Sequence, residues 1–111
     1  MIKYTIEDHG TILICHVKGE ININTFNALE KALEDMLSKR PFFIAIDFKN
    51  VQQVDLTGIS GLVKFSRATI MKDIELILFG LTDSIEEIFA LSGLNRYFNI
   101  LSEEEFEEEY L

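Results

Sequence analysis

The chain has 111 residues, 48% of them apolar, with 10 Lys and Arg against 19 Asp and Glu and a formal net charge of −9. That length fits one domain over residues 1–111 with one core, and the acidic balance argues against nucleic acid and anionic lipid surfaces as partners. A single cysteine excludes an internal disulfide, and no apolar run approaches the ~20 residues of a membrane span, so a cytoplasmic domain is expected.

Ile2 to Glu7 alternates apolar and polar residues, the pattern of a half-buried strand. Asp8-His9-Gly10 is turn chemistry, and Ile12 to Val17 returns as an antiparallel partner. Cys15 and His16 lie inside that second strand. Cys15 reads as a small core residue, and neither His9 nor His16 has metal-ligand spacing. A helix follows, with Asn24 or Thr25 as its N-cap and Phe26, Leu29, Leu33, Met36 and Leu37 on one face. Pro41 stops it. Phe42 to Phe48 is continuously apolar apart from Asp47, which predicts a central strand buried on both faces and parallel to a neighbour.

The segment Val51-Gln52-Gln53-Val54-Asp55-Leu56-Thr57-Gly58-Ile59-Ser60-Gly61-Leu62 reads as a loop leading into a second helix. Asp55, Thr57 and Ser60 cluster at that helix start, where unpaired N–H groups and the helix dipole favour an anion; Asp55 or Thr57 equally suits a simple N-cap. The inner stripe is expected to be Ile59, Leu62, Val63, Ser66 and Ile70. Lys64 and Phe65 then fall outside it, and an exposed Phe65 would be a contact for another protein. Gly58 and Gly61 cost up to about 1 kcal/mol each in a helix, so their use is close approach, of the backbone to the sheet or of a partner to the helix start.

Ile74 to Phe79 is a further buried strand. Thr82, Asp83 and Ser84 offer N-caps for a short helix, with Ser84 and Glu87 fitting a capping box, and Gly93 can end it. Tyr97 to Leu101 reads as a last short strand. Ser102 and Glu105 form a second capping box, Phe106 and Tyr110 tether a final helix to the body, and Glu103, Glu104, Glu105, Glu107, Glu108 and Glu109 read as a solvated face. The order β-β-α-β-α-β-α-β-α predicts an α/β fold: a mixed, mostly parallel sheet of four or five strands, about four helices and an N-terminal antiparallel hairpin.

Four segments together resemble the STAS domain of bacterial anti-sigma-factor antagonists. Asp55-Leu56-Thr57-Gly58-Ile59 is similar to that family's Asp-Ser-Ser/Thr-Gly-Leu loop, and Gly19-Glu20-Ile21-Asn22 to its Gly-Glu-Leu/Ile-Asp segment. Ser92-Gly93-Leu94 with Phe98-Asn99-Ile100 resembles its Gly-Leu…Phe-x-Ile close, and Ser102 to Glu105 the start of its terminal helix. The resemblance spans nearly the whole chain. It implies a phosphorylatable antagonist that binds an anti-sigma factor with serine/threonine kinase activity and frees sigma. It places the phosphate on Thr57, with Asp55 as the neighbouring acid. The partner is expected to dock around Thr57, Gly58, Ser60, Gly61, Lys64 and Phe65, where small residues leave room for close approach and Phe65 offers an anchor, with Asn22 and Asp55 also in the contact. The resemblance implies no cofactor, no metal and no catalysis by the chain itself. Three departures stand out: Leu56 replaces the loop's first hydroxyl, Thr57 stands for Ser, and Asn22 stands where Asp is common. A second reading is a STAS module that acts by binding alone, as a scaffold or a transporter-complex subunit. An enzyme is disfavoured because no nucleophile–base pair, metal set or phosphate loop stands out.

Overall fold

A computed structural model describes all residues, Met1–Leu111. Five strands form one sheet in chain order: β1 (Ile2–Asp8), β2 (Ile12–Ile21), β3 (Phe43–Val54), β4 (Glu75–Phe79) and β5 (Asn99–Leu101). β1 and β2 are an antiparallel hairpin, and every other neighbouring pair is parallel. Four α-helices accompany them: α1 (Phe26–Ser38), α2 (Leu56–Met71), α3 (Asp83–Leu91) and α4 (Glu103–Tyr110), with a 3₁₀ turn at Leu94–Arg96. The expected mixed sheet with an N-terminal hairpin is therefore present, and β3 is its middle strand.

The apolar run in β3 is buried on both faces, because helices cover both. Ile44, Ile46 and Phe48 enter the main core with Leu29, Leu33 and Met36 of α1, Leu62 and Phe65 of α2, and Ile85 and Phe89 of α3. Ala45 points the other way into a smaller cluster with Ile12, Ile14, Ile77, Phe79 and Phe106. α4 supplies Phe106, whose ring stacks on Phe79 at 4.0 Å with 2° between planes, and Tyr110, which packs edge-on against Phe43 at 5.2 Å. The capping box starts α4 as expected: Glu105 N–H donates to Ser102 Oγ at 3.0 Å and Ser102 N–H to Glu105 Oε1 at 2.8 Å.

Several local expectations are corrected. β3 continues through Val51 to Val54, so those two valines lie in a strand, while Phe42 is exposed just before it. The N-cap of α3 is Thr82, whose hydroxyl accepts from Ile85 N–H, and not Ser84. The last strand is shorter than Tyr97–Leu101, beginning at Asn99. The largest change is in α2. Its buried stripe is Gly58, Leu62, Phe65, Ser66 and Thr69, while Ile70 is exposed. Phe65 is only 7% exposed and belongs to the core. The cause lies in the two glycines. A Cβ on Gly58 would sit 2.8 Å from both the side chain and the carbonyl oxygen of Ile21, and one on Gly61 would sit 2.2 Å from the Phe26 ring. With the helix seated on Gly58, two turns on is Phe65, which must also point inward.

α4 leaves part of its sheet face open, and there a polar chain replaces apolar packing. Asp47 is buried; its Oδ1 accepts from Lys49 N–H at 3.0 Å and its Oδ2 meets His16 Nδ1 at 2.8 Å. His16 Nε2 meets Glu7 Oε1 at 2.8 Å, His9 pairs with the other Glu7 oxygen, and Lys49 bridges Asp47 to Glu103 at the start of α4. Burial alone would lower the His16 pKa; the hydrogen bonds to Asp47 and Glu7 outweigh it and the net direction is up. The Glu7 carboxyl is held down, first by its bond to His16 and then by that to His9.

Three outcomes follow from this packing. Phe106→Ala is expected to cost about 3–5 kcal/mol, as for other fully buried aromatics, read as a lower midpoint in urea unfolding; an unchanged midpoint would mean that α4 is not docked. Gly58→Ala should destabilise more than Gly61→Ala, within the roughly 1–3 kcal/mol typical of overpacking, because the first meets backbone and the second a ring that can shift. The reverse order would contradict the seating of α2. Finally, a raised His16 pKa contributes stability that is present below the unfolded value and lost as pH rises through the folded one, whereas Glu7 contributes above the unfolded carboxyl range and loses as pH falls. Denaturant midpoints should therefore decline on raising pH above about 6.5, the ordinary imidazole value, and His16→Gln should remove that decline. A slope equal in both proteins would refute the assignment.

Candidate functional site

The candidate site sits where β2 and β3 end. β3 pairs with β4 only as far as Asp47, and beyond that only with β2, up to Ile21 opposite Val54. Parallel strands finish at the same edge, so the helices that follow them begin side by side. Such carboxyl ends of parallel strands are where open α/β sheets commonly bind.

Asp55 joins the two helix starts. Its N–H donates to the Ile21 carbonyl at 3.0 Å. Its Oδ1 accepts from Gly58 N–H at 2.8 Å, capping α2, and its Oδ2 accepts from Ile23 N–H at 3.1 Å, holding the loop before α1. Of the two N-cap candidates, Asp55 is the cap, with both oxygens engaged inside the chain. Asn22 plays the same part in its own loop, where its Oδ1 accepts from the N–H groups of Asn24 and Thr25 at 2.9 and 3.2 Å. Thr25 occupies the N-cap position of α1, but its hydroxyl donates to the Glu20 carbonyl at 2.7 Å and does not cap the helix. Asn22 and Asp55 are thus positioning residues for two adjacent loops.

That scaffold presents Thr57 to solvent in the first turn of α2, with its hydroxyl free of any hydrogen bond inside the chain. Ser60 and Lys64 lie on the same exposed stripe, three and seven residues further on. The structure brings Asn22, Asp55, Thr57, Ser60 and Lys64 to one edge. It turns the remaining expected contacts inward: Gly58 is buried against Ile21 and Val54, Gly61 packs on Phe26, and Phe65 is in the core. The glycines serve approach to the body, one of the two uses the sequence allowed.

Two apolar residues not expected as contacts are exposed here: Leu56, which precedes Thr57 at the start of α2, is 78% exposed, and Ile23, in the loop bonded to Asp55, is 68% exposed. For Leu56 a signal was available, because it departs from the resembled loop at the position next to the acceptor. Both add apolar surface to the edge that carries Thr57.

The other candidate chemistry is weak. The Cys15 thiol is fully buried and pushed up to about 12, by burial first and by the Asp47 charge second, which leaves no thiolate for nucleophilic attack near neutral pH. No group of three or more His, Cys, Asp or Glu side chains is arranged to hold a metal ion, and no helix is long and apolar enough to cross a membrane.

The sequence profile of the STAS domain matches residues 3–107. The chain is 32% identical over 94 residues to an anti-sigma-B factor antagonist of Listeria monocytogenes, covering 85% of this chain and 80% of that one. It is 32% identical over 78 residues to the protein of that name in Staphylococcus aureus, covering 70% and 72%. Among solved structures, an anti-sigma factor antagonist from Mycobacterium paratuberculosis superposes with a TM-score of 0.81 at 24% identity, covering 90% of this chain and 85% of that one. The Bacillus cell fate determinant SpoIIAA in its phosphorylated form gives 0.73 at 15% identity, covering 98% and 100%. The profile covers nearly the whole chain, and the chain belongs to the STAS domain family, alongside the anti-sigma-B factor antagonists of Listeria and Staphylococcus.

Proposed function

We propose that this protein is an anti-sigma factor antagonist, which binds an anti-sigma factor with serine/threonine kinase activity and is released when that partner phosphorylates Thr57. The observation that carries the reading is the Thr57 hydroxyl itself: exposed, unbonded, in the first turn of α2, on a base fixed by Asp55. The names of its relatives support the class of partner. In this reading the chain is a substrate and a switch, and the chemistry is the partner's.

The physics of the switch follows from the position. A phosphate would add about −1.5 to −2 charges at neutral pH. At the start of α2 the helix dipole favours that charge, and Asp55 opposes it across a solvated edge where screening keeps the repulsion small. The fold therefore survives. A partner that covers Thr57 must instead desolvate an imperfectly paired charge, at several kcal/mol. Each ~1.4 kcal/mol is tenfold in affinity, so a loss of a hundredfold or more is expected.

Two outcomes test this reading. Incubation with a cognate kinase-type anti-sigma factor and ATP should place one phosphate on the peptide carrying Thr57. Thr57→Glu should then fold normally and bind about a hundredfold more weakly, while Thr57→Ala binds and resists modification. Phosphate on Ser60 instead would refute the assignment, and no modification at all would favour a module that acts by binding alone. Secondly, Leu56→Ser and Ile23→Ser should each weaken binding by more than about 1 kcal/mol, which only a minority of interface residues exceed, without lowering the unfolding midpoint. Phe65→Ala, by contrast, should unfold the domain at lower denaturant. Wild-type affinity in both loop variants would move the interface elsewhere.

A further inference from the structure

Beside the Thr57 edge, between α2 and the Leu94–Arg96 turn, lies an open cleft of about 440 Å³. Ile59, Val63 and Leu94 give it apolar walls, and Lys64, Arg67 and Arg96 line it with positive charge. No acidic residue lines it, and none of these three cations is in an ion pair. Arg96 is steered by its own surroundings: Nε donates to the Gly93 carbonyl at 3.2 Å and the guanidinium lies 5.8 Å from the Tyr97 ring centroid.

The cleft gathers three of the 10 cations of a chain whose net charge is −9. Lys49 is the one Lys or Arg held in an ion pair, so what sets the cleft apart is that three cations share one apolar-walled lining free of carboxylates, Lys64 alone also bordering the neighbouring groove that carries Glu30 and Glu34. The Glu-rich α4 packs on the opposite face of the sheet from α2, and at physiological salt the Debye length of about 8 Å screens its field from the cleft. Charges held beside apolar walls select a ligand with both characters. A bare anion leaves the walls wet, and a neutral apolar segment leaves three cations without partners.

We infer that this cleft receives an acidic segment of the partner protein, one whose Asp or Glu side chains flank apolar anchors. The inference rests on the proposed function only in taking this edge as the partner-facing one. It also adds to the switch. Lys64 lies seven residues, roughly 10 Å of helix rise, from Thr57. A phosphate on Thr57 would lower the positive potential at the near end of the cleft, strongly at low salt and weakly at physiological salt.

The test is a titration of the ¹⁵N-labelled full chain with a 12-residue synthetic peptide alternating Asp or Glu with Leu, followed by amide shifts. Parallel titrations use the same peptide with Asn and Gln for its acids, and inorganic phosphate. The acidic peptide should shift Ser60, Val63, Lys64, Arg67, Leu94 and Tyr97, and its affinity should fall as salt rises. Arg67→Glu with Arg96→Glu should weaken it at least tenfold, whereas Lys3→Glu with Lys18→Glu, on β1 and β2, should leave it unchanged. Equal binding of the neutral peptide, equal shifts from phosphate, shifts mapping to other surfaces, or no shifts at millimolar peptide would each overturn the inference. None of these readouts involves the kinase, so the cleft can fail while Thr57 phosphorylation stands, and the reverse.

Discussion

The carboxylate of Asp55 is the interaction on which the edge carrying Thr57 depends. One oxygen caps α2 through Gly58 N–H and the other holds the loop before α1 through Ile23 N–H. Because the cap sits immediately after β3, whose last residue pairs with the last residue of β2, a single side chain ties two strands and two helix starts together. Capping of this kind is worth about 1 kcal/mol, modest as stability. Its larger consequence is geometric: it fixes where Thr57, Leu56 and Ile23 stand relative to one another. If Thr57 is phosphorylated as proposed, small errors in such placement would weaken phosphoryl transfer, which requires reacting groups to be aligned.

The sheet divides its two faces by chemistry. One face is covered by α1, α2 and α3 over the larger apolar cluster, and the other is covered by α4 over a smaller one formed by Ile12 and Ile14 of β2, Ala45 of β3 and Ile77 and Phe79 of β4. The remaining area of that second face is satisfied by the Glu7–His16–Asp47–Lys49 chain. No buried side-chain polar atom in the chain lacks a partner. A buried carboxylate costs several kcal/mol unless paired, and Asp47 is met by a backbone donor, an imidazole and an ammonium. The pH-sensitive group of the fold therefore lies away from the Thr57 edge, and protonation there bears on stability.

Much of this architecture was legible in the residues. The missing alternation in Phe42 to Phe48 signalled a central strand, and the spacing of Phe26, Leu29, Leu33 and Met36 gave the buried face of α1. The Ser102–Glu105 box gave the start of α4. The face of α2 was misread because apolar residues occur on several sides of it: Ile59, Leu62, Val63, Phe65 and Ile70 are consistent with more than one stripe. Glycine settled the matter, and an apolar count does not weigh glycine. The absence of a Cβ at Gly58 and Gly61 marks where a helix touches its neighbours, and Phe65 follows by periodicity. Exposure of Ile23 was hidden for a related reason: a loop residue has no period, so its direction is set by tertiary bonds such as that from Ile23 N–H to Asp55, while Leu56 opens α2 ahead of the buried stripe that begins at Gly58.

The central claim is that a charge at Thr57 changes the surface while the fold beneath it stays the same. The most direct measurement compares amide spectra of the unmodified chain with those of the chain carrying phosphothreonine at position 57, introduced during synthesis so that no kinase is needed. The account predicts shifts confined to the start of α2, the loop carrying Ile23 and the near end of the adjoining cleft, with the amides of β3, β4 and α4 unmoved. Shifts spreading through β3 into the core, or loss of dispersed signals, would show that the phosphate acts by rearranging the domain and would contradict it.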